Sequence, residues 1–183
     1  MELVVMKRRV AAEASRARHL LRTLIQTAVM WLVFFGLAPW GIAHLEAWLG
    51  VPSFVDRWSQ ITGIIAFTLC SVLGLWSSVS LAWYGEGTQL PTATARRLVV
   101  AGPYRFVRNP MAISGLGQGA AIGLWFGSWS ILAGVVAGVV VWQVFVRPSE
   151  EADLEARFGD EYRRYRAAVG CWLPTGQRWI DDQ

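Results

Sequence analysis

The chain has 183 residues, 54% of them hydrophobic, with 11 Trp, a mean hydropathy of +0.37 and a net charge of +4. That composition is too apolar for a soluble domain of this length and points to a membrane protein. Nucleic acid is excluded as a partner, because long apolar runs separate the cationic residues instead of gathering them on one face.

Residues 1–22 carry Lys7, Arg8, Arg9, Arg16, Arg18 and Arg22 with little apolar periodicity and read as a cytosolic N-terminal segment. The run at residues 24–44 has no charge over roughly 20 residues, enough to cross a hydrocarbon core of about 30 Å. Pro39 is expected to kink or end it. A connection at residues 46–58 holds Pro52, Asp56 and Arg57, and Trp40, Trp48 and Trp58 read as interfacial anchors. A second span follows at residues 61–84, so the first two spans occupy residues 24–84.

The polar stretch at residues 85–110 is long enough for a loop that function is the natural suspicion. It closes on Gly102-Pro103-Tyr104-Arg105-Phe106-Val107-Arg108-Asn109-Pro110-Met111, a basic, proline-bracketed sequence that empties into an apolar run. Residues 111–146 read as a helical hairpin crossing the bilayer twice, at 111–126 and 129–146, with a tight turn at Gly127-Ser128. Gly115, Gly119, Gly123 and Gly127 repeat every four residues, and Gly134 and Gly138 are expected to face the same way. Small residues at that spacing let helix backbones approach closely in lipid, and also offer a flat surface to a cofactor.

Of the 17 Lys and Arg, six precede the first span, four lie in the loop before Asn109, six follow Val146, and only Arg57 lies on the other side. With four spans, the positive-inside rule places both termini and the loop in the cytoplasm. Residues 147–183 form a charged cytosolic tail. Ser149 is expected to cap a helix with acidic residues first (Glu150, Glu151, Asp153) and basic residues last (Arg163, Arg164, Arg166), as the helix dipole favours. Leu154, Phe158, Tyr162, Tyr165 and Val169 fall on one stripe, interrupted near Gly159. Such a helix lies against the membrane face or the hairpin, where it is placed to close over residues 102–110. The whole chain reads as a single all-α, multi-pass membrane domain of about four transmembrane helices with an amphipathic cytosolic C-terminal helix. The sequence holds no metal-ligand cluster, and His19 and His44 lie away from the loop.

The ordered combination of residues 102–111, a helical hairpin, then Glu150-Glu151, Leu154, Phe158-Gly159, Tyr162, Tyr165 and Pro174 resembles the integral membrane methyltransferases that include isoprenylcysteine carboxyl methyltransferase and the phosphatidylethanolamine N-methyltransferases. The resemblance covers residues 88–174. It implies an enzyme dependent on S-adenosylmethionine, with the cofactor between the last two spans and the tail and a lipophilic acceptor entering from the membrane lipid. The family's Arg-His-Pro-x-Tyr stands here as Arg108-Asn109-Pro110-Met111-Ala112, so Arg108 and Pro110 carry over while the His and Tyr do not. Carried over in the same way, Tyr104, Arg105, Arg108, Asn109, Pro110, Gly115, Gly117, Glu150, Glu151, Leu154 and Tyr162 are cofactor-binding candidates, and Arg147 and Glu151 catalytic ones.

Methyl transfer from a sulfonium is an in-line displacement that depends mostly on positioning. Glutamates suit the cofactor's ammonium, ribose hydroxyls and positive sulfur, and arginines suit its carboxylate or an acidic acceptor. A carboxylate acceptor needs no base, whereas an ammonium acceptor must first lose a proton. Two other readings stand beside this one: an NADPH-dependent membrane sterol or enone reductase, which the hairpin also resembles, and a catalytically silent membrane scaffold.

Overall fold

The computed structural model describes residues 16–86 and 95–175, apart from the side chains of Arg16 and His19. The basic stretch ahead of Arg16, the polar residues 87–94 of the loop and residues 176–183 lie outside the described residues. What is described is helical, with no strand.

The first apolar run winds as α1 (Arg16–Met30), a π-helical stretch (Trp31–Leu37) and α2 (Ala38–Trp48) without interruption. Pro39 brings no N–H, and its ring would press on the carbonyl of Phe35 four residues back. The wider π winding lies over Phe35 and relieves that clash, so the helix passes through the proline instead of ending there. The expectation of a stop at Pro39 is corrected accordingly: the helix continues and the proline is accommodated by the distorted winding ahead of it.

The same device recurs later in the chain. The last span, α5 (Trp129–Val141), passes through a second π stretch (Trp142–Val146) into α6 (Arg147–Ala168), and Pro148 sits in the first turn of α6 as Pro39 does in α2. Val146, the residue ahead of α6, is itself helical at φ −76 and ψ −52, and no side chain caps the start. Ser149 is therefore not a cap, and the charged tail helix is the direct continuation of a span.

Between them, α3 (Arg57–Tyr84) starts in a capping box, with Ser59 N donating to Asp56 Oδ1 at 2.6 Å and Asp56 N donating to Ser59 Oγ at 2.9 Å. Leu20–Trp48, Arg57–Tyr84 and Trp129–Ala168 are long and apolar enough to cross a membrane. The fourth crossing expected from the sequence, α4 (Pro110–Phe126), has only 17 residues, about 25 Å of helix. It is the central element, packed most extensively against α3 and also against α5.

Small residues make that packing possible. A side chain at Gly117 would come within 2.5 Å of Cys70 Sγ on α3, one at Gly63 within 2.7 Å of the Ala121 carbonyl, and one at Gly123 within 2.6 Å of Leu132 on α5. Gly138 approaches Leu116, but Gly134 meets nothing within 4 Å, so the expected glycine face on α5 packs at one of its two positions.

At one end the bundle is sealed. Gly127 takes φ +60 in the α4–α5 turn, tight against the backbone of Val55, and Ser128 Oγ caps α5 by accepting from Ile131 N at 3.1 Å. Ser53 Oγ donates to the Phe126 carbonyl at 3.0 Å, and Glu46 Oε1 accepts from Ser130 N at 2.9 Å. The opposite end is left open by the helices and is covered by residues 95–109 and α6.

Candidate active site between the bundle and the tail helix

The floor of the cover is a short 3-10 turn, Gly102–Arg105, laid against α3. Gly102 has φ +59 and sits so close to Ser80 and Trp76 Nε1 that only glycine fits. The roof is α6, which is two rods: Gly159 breaks it at φ 52 and ψ −124. Beyond that break Tyr162, Tyr165 and Val169 are buried, with Leu98, Val100, Leu154 and Phe158 against them. The apolar stripe expected on the tail is thus packed on the loop, and Tyr165 Oη donates to the Tyr104 carbonyl at 2.6 Å.

Arg108 ties floor to roof. Its backbone N donates to the Gly170 carbonyl at 2.8 Å, its Nε to the Val169 carbonyl at 2.9 Å, and its Nη1 to Glu151 Oε1 at 2.8 Å and to Tyr162 Oη at 3.4 Å. Arg147 Nε also donates to Glu151 Oε1, at 2.9 Å, and Arg166 lies 3.6 Å from the other carboxylate oxygen. Burial alone would raise the Glu151 carboxyl. The Arg147 hydrogen bond and the charges of Arg108, Arg147 and Arg166 outweigh burial and hold it below the usual carboxylate range. Asn109 Nδ2 reaches Cys171 Sγ at 3.4 Å on the strand of chain leaving α6.

Beneath this cover lies a cavity of about 580 Å³, in the range of pockets that hold small molecules. Its covered end is polar. Arg97, Tyr104, Arg108 and Asn109 come from the loop, and Glu150, Asp153, Leu154 and Arg157 from α6. Those four α6 residues have the i, i+3, i+4, i+7 spacing of a single helix face. Arg157 pairs with Asp153 at 3.3 Å and donates to the Ala95 carbonyl. Burial, reinforced by the charge of Glu150, pushes the Tyr104 phenol well up, so it stays a hydrogen-bond donor. The lining that the helices supply is mostly apolar, with Met30, Trp31, Phe34 and Phe35 of the first span and Trp142 of the last, and carries the polar side chains of Thr27, Ser78, Ser114 and Gln118 among them.

Six of the expected site residues therefore line one cavity: Tyr104, Arg108, Asn109, Gly115, Glu150 and Leu154. Gly115 is open on its cavity side, with nothing within 4 Å of an added Cβ. The others lie beside it. Pro110 is buried at the start of α4, Gly117 packs on Cys70, and Arg105 belongs to the 3-10 turn. Arg147, Glu151 and Tyr162 belong to the cluster that holds Arg108. Residues that line the cavity but were not expected include Asp153, Arg157, Ser114 and Gln118. The first two were detectable, since they repeat Glu150 at helical spacing.

A family model described as phospholipid methyltransferase matches residues 58–161, more than half of the chain and all of α4 and α5. A protein of Haemophilus influenzae, named only as uncharacterized, is 44% identical over 50 residues, which is 27% of this chain and 79% of that relative.

Proposed function

The chain belongs to the phospholipid methyltransferase family, and from that premise we propose that its cavity binds S-adenosylmethionine at the covered end and a lipophilic acceptor at the membrane end. The observation that carries this reading is that one cavity combines charged residues, all supplied by the loop and α6, with a mostly apolar lining supplied by the helices. The cofactor supplies an electrophilic methyl group on a positively charged sulfur.

The residues present fit that group. Gly115 leaves open space where any other side chain would stand in the cavity. Glu150 and Asp153 face the covered end and suit an ammonium or ribose hydroxyls, while Arg97 and Arg108 suit a carboxylate. Leu98, Val99 and Leu154 give a flat heterocycle an apolar surround. The protonated Tyr104 hydroxyl adds a donor. Arg147 and Glu151, expected above as catalytic, act in this reading as positioning residues, because they fix Arg108 and the roof without lining the cavity. In this reading the covered end and both termini face the cytoplasm, the side on which the positive-inside rule expects the Lys- and Arg-rich segments.

Titration of S-adenosylmethionine and its demethylated product into the purified protein in lipid nanodiscs, followed by calorimetry, tests the reading. Saturable binding that falls at least tenfold in Glu150→Gln and Asp153→Asn is expected. A folded protein that gives no heat with either compound, but does with NADPH, would replace this reading with the reductase.

A further inference from the structure

Gln118 is an amide buried in the central helix α4, and only half of it is used by the fold. It lies on α4 one turn beyond Ser114, is 2% exposed and lines the cavity. On the side facing α3 its Nε2 donates to Ser71 Oγ at 2.9 Å. Its Oε1 accepts nothing from the described residues and borders the cavity instead of being sealed away. With Nε2 held by Ser71, the group left over is the amide oxygen, an acceptor.

Half an amide left unpartnered among apolar side chains is unfavourable. Leucine or methionine would fill the volume between α3 and α4 without it. The neighbouring Ser114 hydroxyl does not relieve it, being committed to the Cys70 carbonyl at 2.7 Å. Gln118 stands eight residues past Pro110, about 12 Å along the helix, and the cavity lining that the helices supply is mostly apolar, with Trp31, Phe34, Leu116 and Trp142 beside the hydroxyls of Thr27 and Ser78. The charged residues of the lining, Arg97, Arg108, Glu150, Asp153 and Arg157, all belong to the loop and α6. An ammonium held at Gln118 would thus find no carboxylate from the spans.

We propose that Gln118 is a specificity-determining residue: its free amide group accepts a hydrogen bond from an uncharged donor, a hydroxyl or amide N–H, carried in the apolar body of the acceptor. The proposal rests on the reading of the cavity as a methyl-transfer chamber and adds the acceptor's class, a lipophile with a neutral donor within the bilayer. Ser71 serves as the positioning residue that turns the amide toward the cavity.

The test uses the whole protein in lipid nanodiscs without cofactor, with tritiated 1-hexadecanol as probe and empty nanodiscs as background. Unlabelled 1-hexadecanol and hexadecyl methyl ether, which lacks the donor, compete for the site. The wild type is expected to prefer the alcohol by roughly tenfold, the strength of a good neutral hydrogen bond. Gln118→Leu is expected to bind both compounds equally, with the affinity the wild type shows for the ether. Should that variant not fold, Gln118→Met carries the same comparison, and Ser71→Ala, which keeps the amide, is expected to retain part of the preference. Equal affinities in the wild type, no saturable binding of the alcohol, or a preference that survives in Gln118→Leu would each overturn the proposal. The cofactor titration is independent: its failure with the alcohol preference intact removes the methyltransferase reading alone.

Discussion

Arg108 and Glu151 meet at 2.8 Å across 43 positions of sequence, and their side chains are 8% and 11% exposed. One residue ends the loop and the other opens the tail helix, so their contact is the joint by which the cover is fastened to the bundle. Arg108 Nε reaches the Val169 carbonyl and its backbone N that of Gly170, so this one residue touches both ends of α6.

Replacing Arg108 by lysine keeps the charge but not the fork that serves Glu151 and Val169 together. We expect Arg108→Lys to lower stability by about 1–3 kcal/mol, read as a lower thermal midpoint in nanodiscs. Amide exchange is expected to rise in residues 165–171 and to stay unchanged in α3. Uniform exchange in both regions would show that the contact does not fasten the cover.

The Glu151 carboxyl titrates below its ordinary 4.5 in the folded protein. A depressed folded value contributes stability that is fully present above about pH 4.5 and is lost as pH falls through that lower value. The thermal midpoint of Glu151→Gln is therefore expected to lie below that of the wild type at pH 7, by the equivalent of roughly 3 kcal/mol. The gap is expected to close between pH 4.5 and more acid conditions. A gap that stays constant down to pH 3 would contradict the assignment.

Two glycines of one helix are expected to separate binding from folding. A side chain at Gly115 points into open space, whereas one at Gly123 meets Leu132 at 2.6 Å. Gly115→Val should fold normally and lose cofactor heat in calorimetry. Gly123→Val should cost about 1–3 kcal/mol through overpacking while leaving the cavity intact. The opposite pattern would mean that the cavity is not the binding site.

Gly159 adopts φ 52 and ψ −124, a combination that side chains disfavour. Gly159→Ala should destabilise the second rod of α6 by about 1–3 kcal/mol. Limited proteolysis would detect it as faster cleavage at Arg163, Arg164 or Arg166, with the spans left whole. Unchanged cleavage would place the kink outside the stability of the cover.

The three long apolar helices, the hairpin turn at Gly127 and the stripe ending in Val169 were legible, because apolar run length and helical spacing are local properties of the sequence; α4, with 17 residues, does not reach the length of the other three. The stop expected at Pro39 and the cap expected at Ser149 fail for a shared reason. Read alone, a proline is a breaker and a serine beside it a cap, but a π turn ahead of each proline removes the clash that would have broken the helix. Glu150 and Glu151 are neighbours of the same chemistry, yet the first faces the cavity and the second the arginine cluster. A rotation of about 100° per residue decides between them, and that rotation is inherited from α5. Gly115 and Gly117 likewise differ only in which helix or space lies opposite.

Because one uninterrupted winding supplies both a crossing and its cover, the two are not interchangeable modules. A tail grafted from a relative must keep the residue count from Trp142 onward, since a single insertion before Glu150 would swing Glu150, Asp153 and Arg157 by about 100° away from the cavity they line. Length, more than chemical identity, is what this junction holds constant.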